Sequence, residues 1–112
     1  MKIPFMKAQG AGNDFIIVDK NVDFIRKSKK VIKRLCDRRF GVGCDQLILL
    51  KKISSYYQIT FYNSDGSLGK NCGNGLRCAY KFLVEVKKVK KAVIKTHKFL
   101  HFGKKTQKEY KI

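Results

Sequence analysis

Two short, purely apolar runs constrain the fold most. Phe15–Val18 reads FIIV and Leu47–Leu50 reads LILL, and each is launched from a glycine-rich segment. Four consecutive apolar residues without polar alternation, fed by a turn, read as a buried strand rather than a helix. The preceding segments are Gly10-Ala11-Gly12-Asn13 and Arg39-Phe40-Gly41-Val42-Gly43-Cys44-Asp45-Gln46. A third strand, Tyr57–Tyr62, alternates polar with apolar or aromatic residues at period two, as a half-exposed strand does. Asn63-Ser64-Asp65-Gly66 then supplies turn chemistry.

Helical patterning appears twice. Ser28 is placed to cap a helix running to about Asp37, with Val31, Ile32 and Leu35 on one face and lysines opposite. After a Gly/Asn-rich loop from Gly69 to Gly75, Leu76, Ala79, Phe82 or Leu83, and Val86 form one helical stripe. Beyond it, Ala92–Thr96 and Phe99–Phe102 read as strands, and Glu109–Ile112 as the start of another.

The chain has 112 residues, 44% of them hydrophobic, enough for a packed core in one domain. Its net charge is +18. That excess invites binding to nucleic acid or another polyanion. Lysine supplies 21 of the 26 basic residues, and only Lys87–Lys91 is dense. Specific phosphate or base recognition favours arginine, so a solvated surface and no specific nucleic-acid partner is the reading adopted. No apolar run reaches the length of a membrane span, and no secretory signal opens the chain. Four cysteines, none in C-x-x-C spacing, fit reduced thiols in a cytoplasmic protein better than a zinc or thioredoxin-type site.

The segment with chemical potential is Asn71-Cys72-Gly73-Asn74-Gly75, followed at once by the second helix. Glycines at 73 and 75 permit close backbone approach and positive φ. The first N–H groups of a helix lack internal partners and favour an anion. They suit an amino-acid carboxylate, and they lower the pKa of an adjacent thiol. Cys72 as thiolate is then poised to remove an α-proton while the donors stabilise the enolate-like charge. Arg77, one turn in, adds positive potential if it faces the site. The same residues also have an ordinary reading as a turn and cap beside an inert cysteine. The loop at residues 10–13 is no dinucleotide fingerprint, because a strand follows it instead of a helix. His97 and His101, four apart, are read as surface residues, not metal ligands.

Four segments, GNDF (12–15), RRFGVGCDQL (38–47), FYNSDGS (61–67) and NCGNGLRC (71–78), together resemble the diaminopimelate epimerase family over about residues 3 to 96. The resemblance implies interconversion of LL- and meso-diaminopimelate, in lysine and peptidoglycan precursor synthesis, without pyridoxal phosphate or metal. One cysteine abstracts a proton and another delivers one to the opposite face. It implies Cys72 as the catalytic cysteine of this half. Asn13, Gln46 and Asn63 become side chains that hold the amino-acid substrate, and Gly73 and Asn74 backbone donors to its carboxylate. Cys36, Cys44 and Cys78 are left with packing roles.

The implied fold is α+β: a bent, mostly antiparallel sheet wrapped around a central helix starting near Asn74, equivalent to the N-terminal domain of a two-domain epimerase. The other domain, or a split-gene partner, is the expected complement. Residues 1–112 alone are expected to have negligible activity, an exposed apolar patch and a tendency to self-associate. Two alternatives stand beside this reading. One is a basic, non-catalytic domain that binds a polyanion. The other is a relative of the same fold acting on a different substrate, such as a proline racemase or a phenazine-biosynthesis-like isomerase.

Overall fold

In the computed structural model of the chain, residues 3–70, 73–96, 100–105 and 110–111 are described, with side chains up to residue 96. Seven strands form one sheet in sequence order: β1 (Met6–Gly10), β2 (Asn13–Val18), β3 (Gln46–Ile53), β4 (Tyr56–Asn63), β5 (Lys91–Lys95), β6 (Leu100–Lys105) and β7 (Tyr110–Lys111). Neighbours pair antiparallel except β2 with β3 and β4 with β5, which are parallel. Helices α1 (Val22–Arg26) and α2 (Lys29–Cys36) fill the first parallel crossover, and α3 (Gly73–Glu85) the second.

The two crossovers explain the layering. A parallel crossover is right-handed almost without exception. Because β3 and β4 are antiparallel, the second crossover runs in the opposite strand direction and deposits its helix on the other face. The core divides accordingly. Phe15, Ile17, Ile48, Leu50, Ile59, Phe61 and Ile94 pack with α3. Ile16, Val18, Leu47 and Leu49 pack with Val22, Ile25, Ile32 and Cys36 of α1 and α2. Alternate residues of FIIV and LILL thus enter opposite layers, which is why neither run carries a polar position. The sequence reading anticipated the wrapped helix, and α3 does touch strands from β1 to β7. It did not anticipate the α1–α2 layer behind the sheet.

Local signals mostly hold. The Ser28 side chain accepts a hydrogen bond from Val31 N–H at 3.2 Å, capping α2. Its C-terminal carbonyls are satisfied by the glycine turn: Val42 and Gly43 N–H donate to Leu35, and Cys44 N–H to Cys36. Gly41 has no room for a side chain, since a Cβ there lies 1.7 Å from the Arg34 carbonyl oxygen. Buried Gly75, Leu76, Cys78, Ala79, Tyr80, Phe82 and Leu83 spread around α3, as a central helix requires.

Val86 departs from the expected stripe: it lies beyond the helix end and is 43% exposed. Strand β1 and the short helix α1 are additions to the expected elements. The expected strands near residues 92–96, 99–102 and 109–112 correspond to β5, β6 and β7, with Phe99, Glu109 and Ile112 outside the described residues. His101 lies on β6 opposite Ile94, so its segment is strand, and His97 lies outside the described residues. Among the described residues, no helix is long and apolar enough to cross a membrane, and no group of three or more His, Cys, Asp or Glu is placed to hold a metal.

Candidate active site

One end of the sheet gathers the candidate residues. β2 begins at Asn13, its parallel neighbour β3 begins at Gln46, and antiparallel β4 ends at Asn63 opposite Gln46. α3 begins at the same end. The cause is direct: a parallel strand start, an antiparallel strand end and the following helix start all fall on one edge.

β1 and β2 are joined by the two-residue turn Ala11-Gly12, with Gly10 paired to Asn13. Both turn residues have positive φ, 50° and 90°. That matches the twist of a tight hairpin, and for Ala11 it carries a conformational cost. The hairpin lies against the first turn of α3. A Cβ on Gly10 meets Cys78 Sγ at 3.1 Å and Asn74 Cβ and carbonyl oxygen at 3.6 Å. A glycine at this position leaves the strand end and the helix start in close contact without crowding Cys78. Gly75 does the same from the helix side: a Cβ there falls 2.5 Å from Phe61 Cε1 and 3.3 Å from Phe15 Cε1.

Both Gly73 and Gly75 lie inside α3, and neither has positive φ. That corrects the expectation that they shape a loop of unusual conformation. Gly75 allows the helix to seat on two phenylalanines, and Gly73 meets only the Arg77 side chain among the described residues. Arg77 folds back over this turn. Its guanidinium donates to Asn74 Oδ1 and lies 3.5 Å from a Cβ built on Gly73. The cation therefore adds to the positive potential of the helix start. Cys72, the intended nucleophile, lies outside the described residues; in sequence it directly precedes Gly73.

Gln46 and Asn63 meet side by side: Gln46 Nε2 donates to Asn63 Oδ1 at 3.4 Å. Asn63 Nδ2 in turn donates to Ser67 Oγ at 3.1 Å and to the Leu68 carbonyl at 3.4 Å, closing the turn after β4. Asn13 and Asn74 line two different concavities that share the hairpin. The first, of about 590 Å³, is bounded by Asn13, Asp14, Arg38 and Asp45; the second, of about 360 Å³, by Asn74, Arg77, Cys78 and Lys81. The structure thus brings Asn13 and Asn74 to one hairpin, with Gly73 next to Asn74 in α3, and sets Gln46 and Asn63 beside one turn.

The sequence reading missed the clamp beneath them. Asp14 accepts two hydrogen bonds from the Arg38 guanidinium, at 2.9 and 2.8 Å, and an ion pair from Lys7 Nζ at 2.9 Å. Asp14 N–H donates to the Asp45 carboxylate at 3.0 Å and Asp45 N–H to the Asp14 carboxylate at 2.8 Å, locking the starts of β2 and β3 together. Arg38 above all, and then Lys7 and the Asp45 amide, holds the Asp14 carboxyl well below the usual carboxylate range, against a smaller opposing effect of burial. The signal was available: an Asp next to each candidate amide, in GNDF and GCDQL.

Solved structures define the class of fold. A phenazine biosynthesis protein of the PhzF family from Enterococcus faecalis aligns at a TM-score of 0.74, covering 98% of this chain and 43% of that chain at 12% identity. A methylitaconate-delta-isomerase aligns at 0.71, covering 99% and 36% at 18% identity. At those identities the likeness is one of fold.

Sequence comparison goes further. The profile of the diaminopimelate epimerase family matches residues 5–98. The diaminopimelate epimerase of Leptospira biflexa is 43% identical over 101 residues, 88% of this chain and 36% of that protein. That of Flavobacterium psychrophilum is 44% identical over 86 residues, 75% of this chain and 34% of that protein. The chain belongs to the diaminopimelate epimerase family, and it spans about a third of the length of the curated relatives it matches.

Proposed function

We propose that this chain forms the N-terminal-domain equivalent of a diaminopimelate epimerase and contributes one of its two acid–base cysteines, Cys72. The observation that carries this is the seating of Gly10 on Asn74. It puts the first turn of α3, with the Arg77 cation, beside the hairpin that presents Asn13. Free N–H groups there suit the α-carboxylate of an amino acid. The residue preceding them in sequence is a thiol, and its ionised form is favoured by the same positive end.

The chemistry follows from that juxtaposition. Cys72 thiolate takes the α-proton, and the electron pair spreads into the bound carboxylate, whose growing negative charge meets the N–H groups of Gly73 and Asn74. Asn13, Gln46 and Asn63 hold the remaining polar groups of the substrate and fix which carbon faces the sulfur. One sulfur serves one face of the planar carbanion. Inversion needs a proton from the other face, hence a thiol on a complementary domain or polypeptide. Most of the length of the matched relatives has no counterpart in these residues. The reaction so described uses no cofactor and belongs in the cytoplasm. Leu68 and Phe40, 71% and 65% exposed, are apolar side chains for a partner or a second copy to cover.

The test is reconstitution. The chain is assayed alone and with a separately expressed C-terminal half of a relative, following both inversion of LL-diaminopimelate and solvent deuterium uptake at the α-carbon. The expected result is no inversion alone, inversion in the mixture, and loss of both signals in Cys72→Ala. Sustained inversion by the chain alone overturns the one-cysteine reading.

A further inference from the structure

Cys36 and Cys44 lie in the α1–α2 core layer, behind the sheet from α3, and neither has a part in the proposed chemistry. Each is only 2% exposed. Cys36 is the last residue of α2, and the glycine turn folds Cys44 back onto it. The Cys44 N–H donates to the Cys36 carbonyl at 3.2 Å. Standard bond lengths on either side of that hydrogen bond keep the two Cα atoms within about 7 Å, the outer limit for a disulfide. Both side chains belong to the same buried cluster.

The contact is asymmetric. The hydrogen bond from Cys44 lowers the Cys36 thiol below its ordinary value, with burial opposing and the charge of Lys7 assisting. The same contact, together with burial, pushes the Cys44 thiol up. Cys36, with the lowered thiol, is the candidate nucleophile, and Cys44 is the candidate resolving thiol. A concavity of about 480 Å³ is bounded by Cys36, Cys44, Lys33, Asp37, Arg38 and Arg39.

We propose that Cys36 and Cys44 are a hydroperoxide-responsive dithiol that closes to an intramolecular disulfide. The Cys36 thiolate attacks one oxygen of hydrogen peroxide. The O–O bond breaks, hydroxide leaves, and Cys36 becomes a sulfenic acid. The Cys44 sulfur then attacks the Cys36 sulfur. The S–O bond breaks, and the departing hydroxide takes the Cys44 proton as water. In sum, two thiols and one peroxide give one disulfide and two waters. The new bond staples both ends of the segment 37–43, which carries Arg38, the residue that grips Asp14.

Peptide mapping tests this. The folded chain is treated with limiting hydrogen peroxide, its remaining thiols are alkylated in denaturant, and it is digested with trypsin without reduction. The expected product joins the peptides of residues 35–38 and 40–51 by a disulfide that disappears on reduction. Oxidising the chain in guanidinium lowers that product to no more than the level of the Cys72–Cys78 pairing, the other short loop. Cys44→Ser is expected to trap a dimedone-reactive sulfenic acid on Cys36. If Cys44→Ser does not fold, the wild-type map decides alone. Recovery of Cys36 and Cys44 alkylated while Cys72 or Cys78 is oxidised, or Cys36 sulfinic acid without the cross-link, overturns the proposal.

Discussion

Gln46 and Asn63 touch because Gly69 has no side chain. The two amides face each other across the β3–β4 pair at 3.4 Å, and a Cβ on Gly69 falls 2.8 Å from Gln46 Nε2 and 3.0 Å from Asn63 Oδ1. Gly69 N–H also donates to the Phe61 carbonyl at 2.8 Å, which pins the strand leaving the turn against the amides. Gly69→Ala is therefore expected to swing the flexible Gln46 amide outward. The stability cost is about 1 kcal/mol, at the low end for overpacking, because the obstructed atoms end a mobile side chain. Urea unfolding measures that cost. In the reconstituted enzyme the larger effect falls on substrate affinity, read as KM. An unchanged KM with unchanged stability contradicts a role for this amide pair.

Gly75 presents the opposite case, because its obstruction is a ring in the core. Alanine there gains about 1 kcal/mol of helix propensity over glycine. It also drives a methyl into Phe61, whose Cε1 is 2.5 Å from the new Cβ. Overpacking of this kind costs about 1–3 kcal/mol. Gly75→Ala is expected to lose up to about 2 kcal/mol net, and Gly73→Ala, which meets only the Arg77 side chain at ordinary distance, to lose none. Thermal unfolding of the two variants separates them, and a more stable Gly75→Ala contradicts the tight seating of α3.

Arg77 tests the electrostatics of the helix start. It donates to Asn74 Oδ1 and leans over Gly73. Arg77→Met keeps much of the side-chain volume and removes the cation. If the carboxylate of the substrate binds at this turn, the variant loses about 1 kcal/mol of binding, a KM increase of about fivefold. Raising the salt concentration is expected to shrink the difference between variant and wild type, since the cation is screened. A KM indifferent to both changes places the carboxylate elsewhere.

How much of this was legible in sequence depends on the range of the interaction. FIIV and LILL announced buried strands because every position is apolar. The tetrapeptides do not reveal that alternate residues feed two separate layers; that follows from the antiparallel β3–β4 turn-around, a long-range property. Ser28 and the α2 stripe were readable because a cap and its helix are local. Strand β1 escaped because MKAQG mixes exposed and half-buried residues on an edge, where no strong alternation is needed. In sequence Gly75 ends a loop and permits positive φ and close backbone approach, whereas its requirement in the fold is space, set by Phe15 and Phe61, sixty and fourteen residues away. The Asp14–Arg38–Asp45 clamp is likewise built from three segments that only the fold brings together.

That clamp makes the stability of the domain depend on pH in a definite direction. The Asp14 carboxyl is held below its ordinary value of 3.8, chiefly by Arg38 and then by Lys7 and the Asp45 amide. A carboxyl whose pKa is depressed on folding contributes stability that is fully present above the unfolded value and is lost as pH falls toward the folded one. Wild type is therefore expected to outlast Asp14→Asn in urea by a constant margin from neutral pH down to about pH 4. Below that the margin narrows progressively, because protons bind the unfolded chain first and then the clamp itself. Asp14→Asn retains the shape and one acceptor, so the difference isolates the charge. The Arg38 side chain is 58% exposed, so added salt is expected to reduce the margin without abolishing it. Urea midpoints for both proteins, measured at several pH values from 7 down to about 2.5 at fixed ionic strength, check this. A margin that stays constant below pH 4, or widens there, contradicts the assignment of the stabilising charge to Asp14.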